Sequence, residues 1–221
     1  MRVTLGAITT QYDGMANDGS PITGPPTSYI NPQMRCNDGQ TVANSGVQNG
    51  ATGTVHNLSG SARALFGPQA DSNNGAASRN KIIQPFTVTK NLWDRIKEFF
   101  GFGSRFSINL GLSGSATFLA GTGNGDVRIV AWINSSSGNL AAIQHNYNIQ
   151  RNGADPNMID ISRDGSAWLT ISNPGSFSDQ FALSGVKLAT GTYTFQSELN
   201  VMDSADGDVL LTAGSTTRLG Y

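Results

Sequence analysis

Met158-Ile159-Asp160-Ile161-Ser162-Arg163, then Asp164-Gly165, then Ser166-Ala167-Trp168-Leu169-Thr170-Ile171-Ser172: two strand-like runs stand on either side of a two-residue Asp-Gly turn. A type I′ turn needs positive φ at both central positions. Asp tolerates this, Gly adopts it freely, and the twist of such a turn matches the strands that it joins. The dipeptide recurs at Asp206-Gly207, between Tyr193–Val201 and Asp208–Ala213, which predicts a second hairpin of the same design. Around these pieces, short runs near 105–112, 115–120, 126–134, 142–150, 157–163, 166–172, 177–184, 191–202 and 207–217 read as strands. In Asp126–Ile133, Val127, Ile129 and Ala131 share one face, with Val130 and Trp132 on the other, so this strand is expected to be covered on both sides. Tyr193, Phe195, Ser197, Leu199 and Val201 share a face opposed by Thr192, Thr194, Gln196, Glu198 and Asn200, the pattern of a half-buried antiparallel strand. Asn173-Pro174-Gly175 and Gly121-Thr122-Gly123-Asn124-Gly125 supply further turns. The reading is an all-β fold over 104–221: an antiparallel two-sheet β-sandwich of jelly-roll-like form, with a closed barrel as the alternative.

One helix precedes the sandwich. Asn91 is a good N-cap, and Asp94 three residues on meets the free amides and the helix dipole. Leu92, Ile96, Phe99 and Phe100 share one face, and Asp94, Arg95, Lys97 and Glu98 the other. Gly101 fits the position after the C-cap. So short a helix does not persist alone in water and must dock. It is expected to close one end of the sandwich, the alternatives being a partner-docking or a membrane-surface role. Residues 81–103 thus read as an extended connector followed by this short amphipathic helix.

Residues 1–80 differ in kind. They hold five of the eight prolines and no Lys or Glu, and turn pairs such as Asp13-Gly14, Asp38-Gly39 and Asn49-Gly50 recur. Neither the helical nor the strand period holds for long. Too little apolar area is available to offset the entropy of ordering a separate core. The segment is read as a long irregular N-terminal arm that orders along another protein, with Ile8, Tyr12, Ile22, Tyr29, Ile30, Leu58, Leu65 and Phe66 as spaced anchors. The run Leu58-Ser59-Gly60-Ser61-Ala62 returns as Leu112-Ser113-Gly114-Ser115-Ala116, which is read as composition rather than duplication.

Composition narrows the function classes. Charged residues are 13% and net charge is −1, so no long-range field recruits nucleic acid or an anionic membrane. Cys36 is the sole cysteine, which excludes an intramolecular disulfide and a cysteine-based zinc site. No apolar run is long enough for a transmembrane helix, and the first residues lack the apolar run of a signal peptide. No Gly-x-Ser-x-Gly elbow is present to raise a nucleophile. Gly121-x-Gly123-x-Gly125 lacks the helix of a dinucleotide site. His56 falls in the arm, and His145 is read as a surface or interface imidazole. Asp203, Asp206 and Asp208 are able to hold Ca²⁺, but the simpler reading is a hairpin tip that uses Asp for turn geometry. Catalytic, cofactor and metal residues are therefore all expected to be absent. Trp168 keeps a sugar-binding platform open as an alternative.

In its arm, the Leu92–Phe100 helix and the Asp-Gly turns, the chain resembles virion proteins of tailed bacteriophages, most of all the cement or decoration proteins that clamp capsid shells. That resemblance implies a non-enzymatic structural protein of the virion, assembled in the host cytoplasm. The implied partner is the major capsid protein or another virion protein, and the implied state a homo-oligomer, trimer or dimer, with no nucleic-acid or membrane partner. A phage fibre or tail adaptor and a carbohydrate-binding β-sandwich module are the alternatives.

Overall fold

The computed structural model describes residues 1–15, 21–22, 33–36, 39–64, 76–121, 123–203 and 207–221. Their strands are β1 (Arg2–Leu5), β2 (Thr9–Met15), β3 (Pro21–Ile22), β4 (Gln33–Cys36), β5 (Gly39–Gly50), β6 (Gly53–Ala64), β7 (Ala76–Thr89), β8 (Phe106–Gly121), β9 (Asn124–Ser135), β10 (Gly138–Arg151), β11 (Met158–Arg163), β12 (Ser166–Ser172), β13 (Gly175–Val186), β14 (Gly191–Asp203) and β15 (Gly207–Gly220), with helix α1 (Leu92–Phe99) between β7 and β8. All pairings are antiparallel. One sheet of nine strands runs β12-β11-β10-β9-β14-β7-β2-β3, with β1 also on β7; the other, of six, runs β13-β8-β15-β6-β5-β4. The chain alternates between them so that β6-β15-β8-β13 lies over β7-β14-β9-β10. That nesting is the strand order of a jelly roll. The remaining strands widen its sheets at their edges.

The core lies between the sheets and follows the period of two. Tyr193, Phe195, Leu199 and Val201 of β14 are buried there together with Ser197. On β9, Val127, Ile129 and Ala131 point inward, while on the outer face Val130 is buried and Trp132 sits under the Lys81 ammonium, 5.5 Å from its ring. The β11–β12 turn has φ of 51° at Asp164 and 81° at Gly165, as a type I′ turn requires.

Three expectations are corrected. First, the 104–221 segment is not a self-contained sandwich beside an N-terminal arm. Within 1–89, β6 pairs along its whole length with β15, and β7 with β14, so two of the eight jelly-roll strands come from this part of the chain. Residues 81–89, read from the sequence as an extended connector, belong to β7. Pro85 is tolerated there because its nitrogen and its carbonyl face the same side, where the neighbouring strand is interrupted between β1 and β2. The Pro85 carbonyl accepts the Gly6 amide at 2.7 Å, and no bond to β14 is lost. Second, β14 and β15 lie in different sheets, so no hairpin joins them. The link 204–206, with Asp206, falls outside the described residues. Third, 105–112 and 115–120 are one continuous strand, β8.

The repeated pentapeptides take a specific position. They flank β15 in register: Ser59 and Ser113 both pair with Gly214, Gly60 and Gly114 with Ala213, and Ser61 and Ser115 with Thr212. Small residues are required at the centre of this layer. A Cβ on Gly114 would lie 2.3 Å from the Phe177 ring, which fills the inward space that glycine leaves.

Candidate docking surface

Helix α1 lies in the crossover from β7 to β8, at one end of the sandwich. Its start is built as the sequence specifies. Asn91 Oδ1 accepts the Asp94 amide and Asp94 Oδ2 accepts the Asn91 amide, both at 2.9 Å, a reciprocal capping box. Its end turns at Gly101 with φ of 84°, beyond the reach of most L-residues. A Cβ on Gly103 would lie 3.1 Å from Glu98, so the returning chain packs closely under the helix.

The helix is mounted the wrong way round for a core element. Its acidic face looks inward: the Met1 ammonium lies 2.6 Å from Asp94 Oδ1, and Lys90 Nζ donates to both Glu98 oxygens at 2.9 Å. The ammonium and the Asn91 amide hold the Asp94 carboxyl below the usual carboxylate range. The apolar face looks outward. Leu92 is 72% exposed, Trp93 70%, Ile96 36%, Phe99 86%, Phe100 67% and, just past the helix, Phe102 81%. The expectation that this face closes the end of the sandwich is corrected: no residue of α1 is buried. The physical reason is that the adjoining surface offers charged partners, Lys90 and the Met1 amine, for Asp94 and Glu98. An aromatic cluster of this kind exceeds the isolated exposed apolar residues that any protein carries, and such patches mark interaction sites.

Of the anchors proposed for an arm, Leu58 and Ile8 have described side chains. Leu58 is buried in the core of β6 and has no surface to offer, which corrects its reading as an anchor. Ile8 is exposed in the link between β1 and β2. Tyr12 and Ile22 lie in β2 and β3, and their side chains are outside the described residues, as are Tyr29, Ile30, Leu65 and Phe66 altogether.

Two polar constellations went unnoticed in the sequence. In the core, His56 of β6 bridges the sheets: its Nδ1 is 2.8 Å from Ser197 Oγ on β14 and its Nε2 2.9 Å from Gln84 Oε1 on β7. Because Gln84 Oε1 only accepts, Nε2 carries the proton and Nδ1 accepts from the Ser197 hydroxyl. Gln84 Nε2 donates onward to Asn49 Oδ1 at 3.0 Å. The order hydroxyl, imidazole, acceptor is that of an activated nucleophile. Yet Ser197, His56 and Gln84 are each 0% exposed, so in this structure the group ties the sheets together out of reach of any substrate. Burial lowers the His56 pKa to about 4, which keeps the ring neutral.

The second constellation joins β13 to the overhanging β10–β12 sheet. Arg163 Nη1 donates to Asp179 Oδ2 at 2.7 Å, the Tyr147 hydroxyl donates to the same oxygen at 3.2 Å, and the His145 ring stacks on Phe181 with centroids 3.5 Å apart. His145 Nδ1 also lies 2.7 Å from Asp164 Oδ2. Burial and the neighbouring Asp179 push the Tyr147 phenol well above its ordinary range. Trp168 packs in this cluster against Tyr147 and beneath Arg163, so it is not a free platform for a sugar ring. Among the described residues no three His, Cys, Asp or Glu side chains gather as a metal site. Asp203 is buried on the inward face of β14, and the rest of its acidic loop is not described.

No family model and no curated protein matches the chain. Among solved structures it is similar to alginate lyase AlgAT5 from polysaccharide lyase family 7, at 12% identity over 94% of each chain with a TM-score of 0.22. A superposition that loose carries no argument about activity.

Proposed function

We propose that this protein is a non-enzymatic structural component of a virion, a cement or decoration protein that attaches to the assembled shell through the outward apolar face of α1. The partner is the major capsid protein or another virion protein. One observation carries the reading: the fold turns the acidic face of an amphipathic helix inward, half-buried against Lys90 and the Met1 amine, and presents its aromatic face to solvent. Such a surface is costly in water and is stabilised when another protein covers it. The jelly roll supports the reading by analogy only, since the same architecture serves shell and lectin domains alike. The low formal charge fits attachment by apolar contact rather than by a polyanion-binding surface.

A carbohydrate-binding role is the second reading. It is favoured by a shallow depression of about 880 Å³ on the six-stranded sheet, lined by hydroxyls of Ser59, Ser61, Ser113, Ser115 and Thr212. The test adds full-length protein to purified shells that lack it and measures co-sedimentation and the temperature at which the shells disrupt. Wild type is expected to bind and raise that temperature, and the Phe99→Ser/Phe102→Ser variant to do neither. Binding to a glycan array together with indifference to shells would replace this reading with the second.

A further inference from the structure

We infer that α1 is the inserted half of a helix-in-groove contact, and that the shell groove receiving it is apolar with an acidic rim along both sides. The inference rests on the function proposed above and specifies the partner surface. Three observations carry it. Leu92, Ile96 and Phe99 stand at i, i+4 and i+7, the spacing by which a short helix is read in a groove. Arg95 borders that stripe on one side and Lys97 on the other, both exposed. The two anions of the helix are turned inward, Asp94 to the Met1 amine and Glu98 to Lys90. The outward half of α1 therefore presents an apolar stripe bordered by two exposed cations, while its carboxylates are engaged by the Met1 amine and Lys90.

The size fits a protein partner. Aromatic side chains bury about 150–250 Å² each when covered. Trp93, Phe99, Phe100 and Phe102 are largely exposed, and with Leu92 they offer several hundred Å². One partner contributes about 800 Å² to a standard protein interface. A second copy of the same face is a poor occupant, because a two-fold contact sets Arg95 and Lys97 against their own copies. A lipid surface fits less well than a groove. The helix is only about 12 Å long at 1.5 Å per residue. Polybasic attraction to anionic lipid grows with each Lys or Arg, and two cations flank this stripe.

The test compares wild type with Phe99→Ser, Arg95→Glu/Lys97→Glu and Arg95→Lys for binding to purified shells. The same proteins are assayed on vesicles of phosphatidylcholine with phosphatidylserine and by analytical ultracentrifugation. The substituted side chains are exposed, so unfolding midpoints should stay within error of wild type, which guards against misfolded variants. Phe99→Ser and the charge reversal should each weaken shell binding by roughly tenfold or more. Arg95→Lys should retain most of the affinity, and vesicles should bind none of the proteins. A charge reversal that binds as tightly as wild type, while Phe99→Ser does not, overturns the acidic rim and leaves the cement reading standing. Wild type that ignores shells overturns the cement reading itself. Vesicle binding lost in Phe99→Ser, or dimerisation lost in that variant, assigns the face to lipid or to a second copy and overturns the inference.

Discussion

The space between the sheets and the outer face of α1 treat side chains in opposite ways. Between the sheets Phe195 is sealed from water and even a histidine is enclosed, its ring 4.6 Å from the Phe195 ring. On α1 the carboxylates are half-buried against cations and Phe99 is almost fully exposed. Hydrophobicity alone does not say which side chains face inward. Partners do: His56 is accepted in the core because Ser197 and Gln84 satisfy both ring nitrogens, and Glu98 is drawn inward because Lys90 awaits it. Apolar side chains in the first region hold the fold, whereas those in the second lie at the surface.

The largest test of this contrast exchanges one phenylalanine in each region. Phe195→Ala should cost about 3–5 kcal/mol in urea unfolding. Phe99→Ala should change stability by no more than about 0.5 kcal/mol. Similar costs for the two would mean that α1 is buried in solution, and the contrast would collapse.

A second test sharpens the account of the enclosed histidine. The unfolded ring takes up its proton near pH 6.5 and the folded one only near about 4. Between these values the unfolded state binds more protons, so stability falls as pH is lowered through the window and is flat above it. At about 1.4 kcal/mol per pKa unit, the full loss approaches about 3 kcal/mol. The upper part of the window, above the carboxylate range, isolates the effect. Denaturation midpoints there should slope with pH in wild type and lie flat in His56→Gln. A slope that survives in the variant would assign it to other groups.

The simplest form of the contrast, in which exposed positions contribute nothing to stability, should fail where the backbone is the constraint. Gly165 has open space around its missing Cβ but a φ of 81°. Gly165→Val should therefore cost roughly 1–3 kcal/mol. Gly46 also has open space but no positive φ, so Gly46→Val in β5 should be nearly neutral. Equal melting temperatures for the two variants would remove the turn assignment.

The smallest expected effect is a gain. Thr217 is 1% exposed and its hydroxyl has no partner among the described residues. Thr217→Val keeps the shape and removes an unpaired polar group, so it should raise stability by about 1 kcal/mol. A loss would point to a bound water in the core.

The sequence made the strands after Phe106 legible because their inward positions carry large apolar residues on the period of two, as in Tyr193 to Val201. It concealed β6 and β7 for a physical reason. The inward positions of β6 are Thr54, His56, Leu58, Gly60 and Ala62, of which only Leu58 is large and apolar. Those of β7 mix polar with apolar, with Ser78, Asn80 and Gln84 among Ile82, Phe86 and Val88. Such positions look like arm or loop in isolation, because the groups that satisfy them stand on other strands, as Ser197 of β14 does for His56. Asn80 Nδ2, for example, donates to the Ser59 carbonyl at 2.6 Å. The capping box and glycine stop of α1 are local and were readable. Which face of α1 turns inward was not, since the Met1 amine and Lys90 that hold it are placed by the fold.

The position of β15 has a consequence for how the molecule is assembled in time. It slots between β6 and β8, and Ser215 has Leu58 on one side and Leu112 on the other. Until this strand is available, both neighbours expose an unpaired edge, and the pairing that closes the sheet spans most of the sequence. Long-range pairing of this kind makes for slow folding and a prolonged aggregation hazard. The twin Ser-Gly-Ser runs lie on those waiting edges. Serine and glycine are weak strand formers, and short polar edges resist adding foreign strands. The layer that accepts β15 in the finished molecule is thus expected to keep the unfinished one from polymerising while it waits.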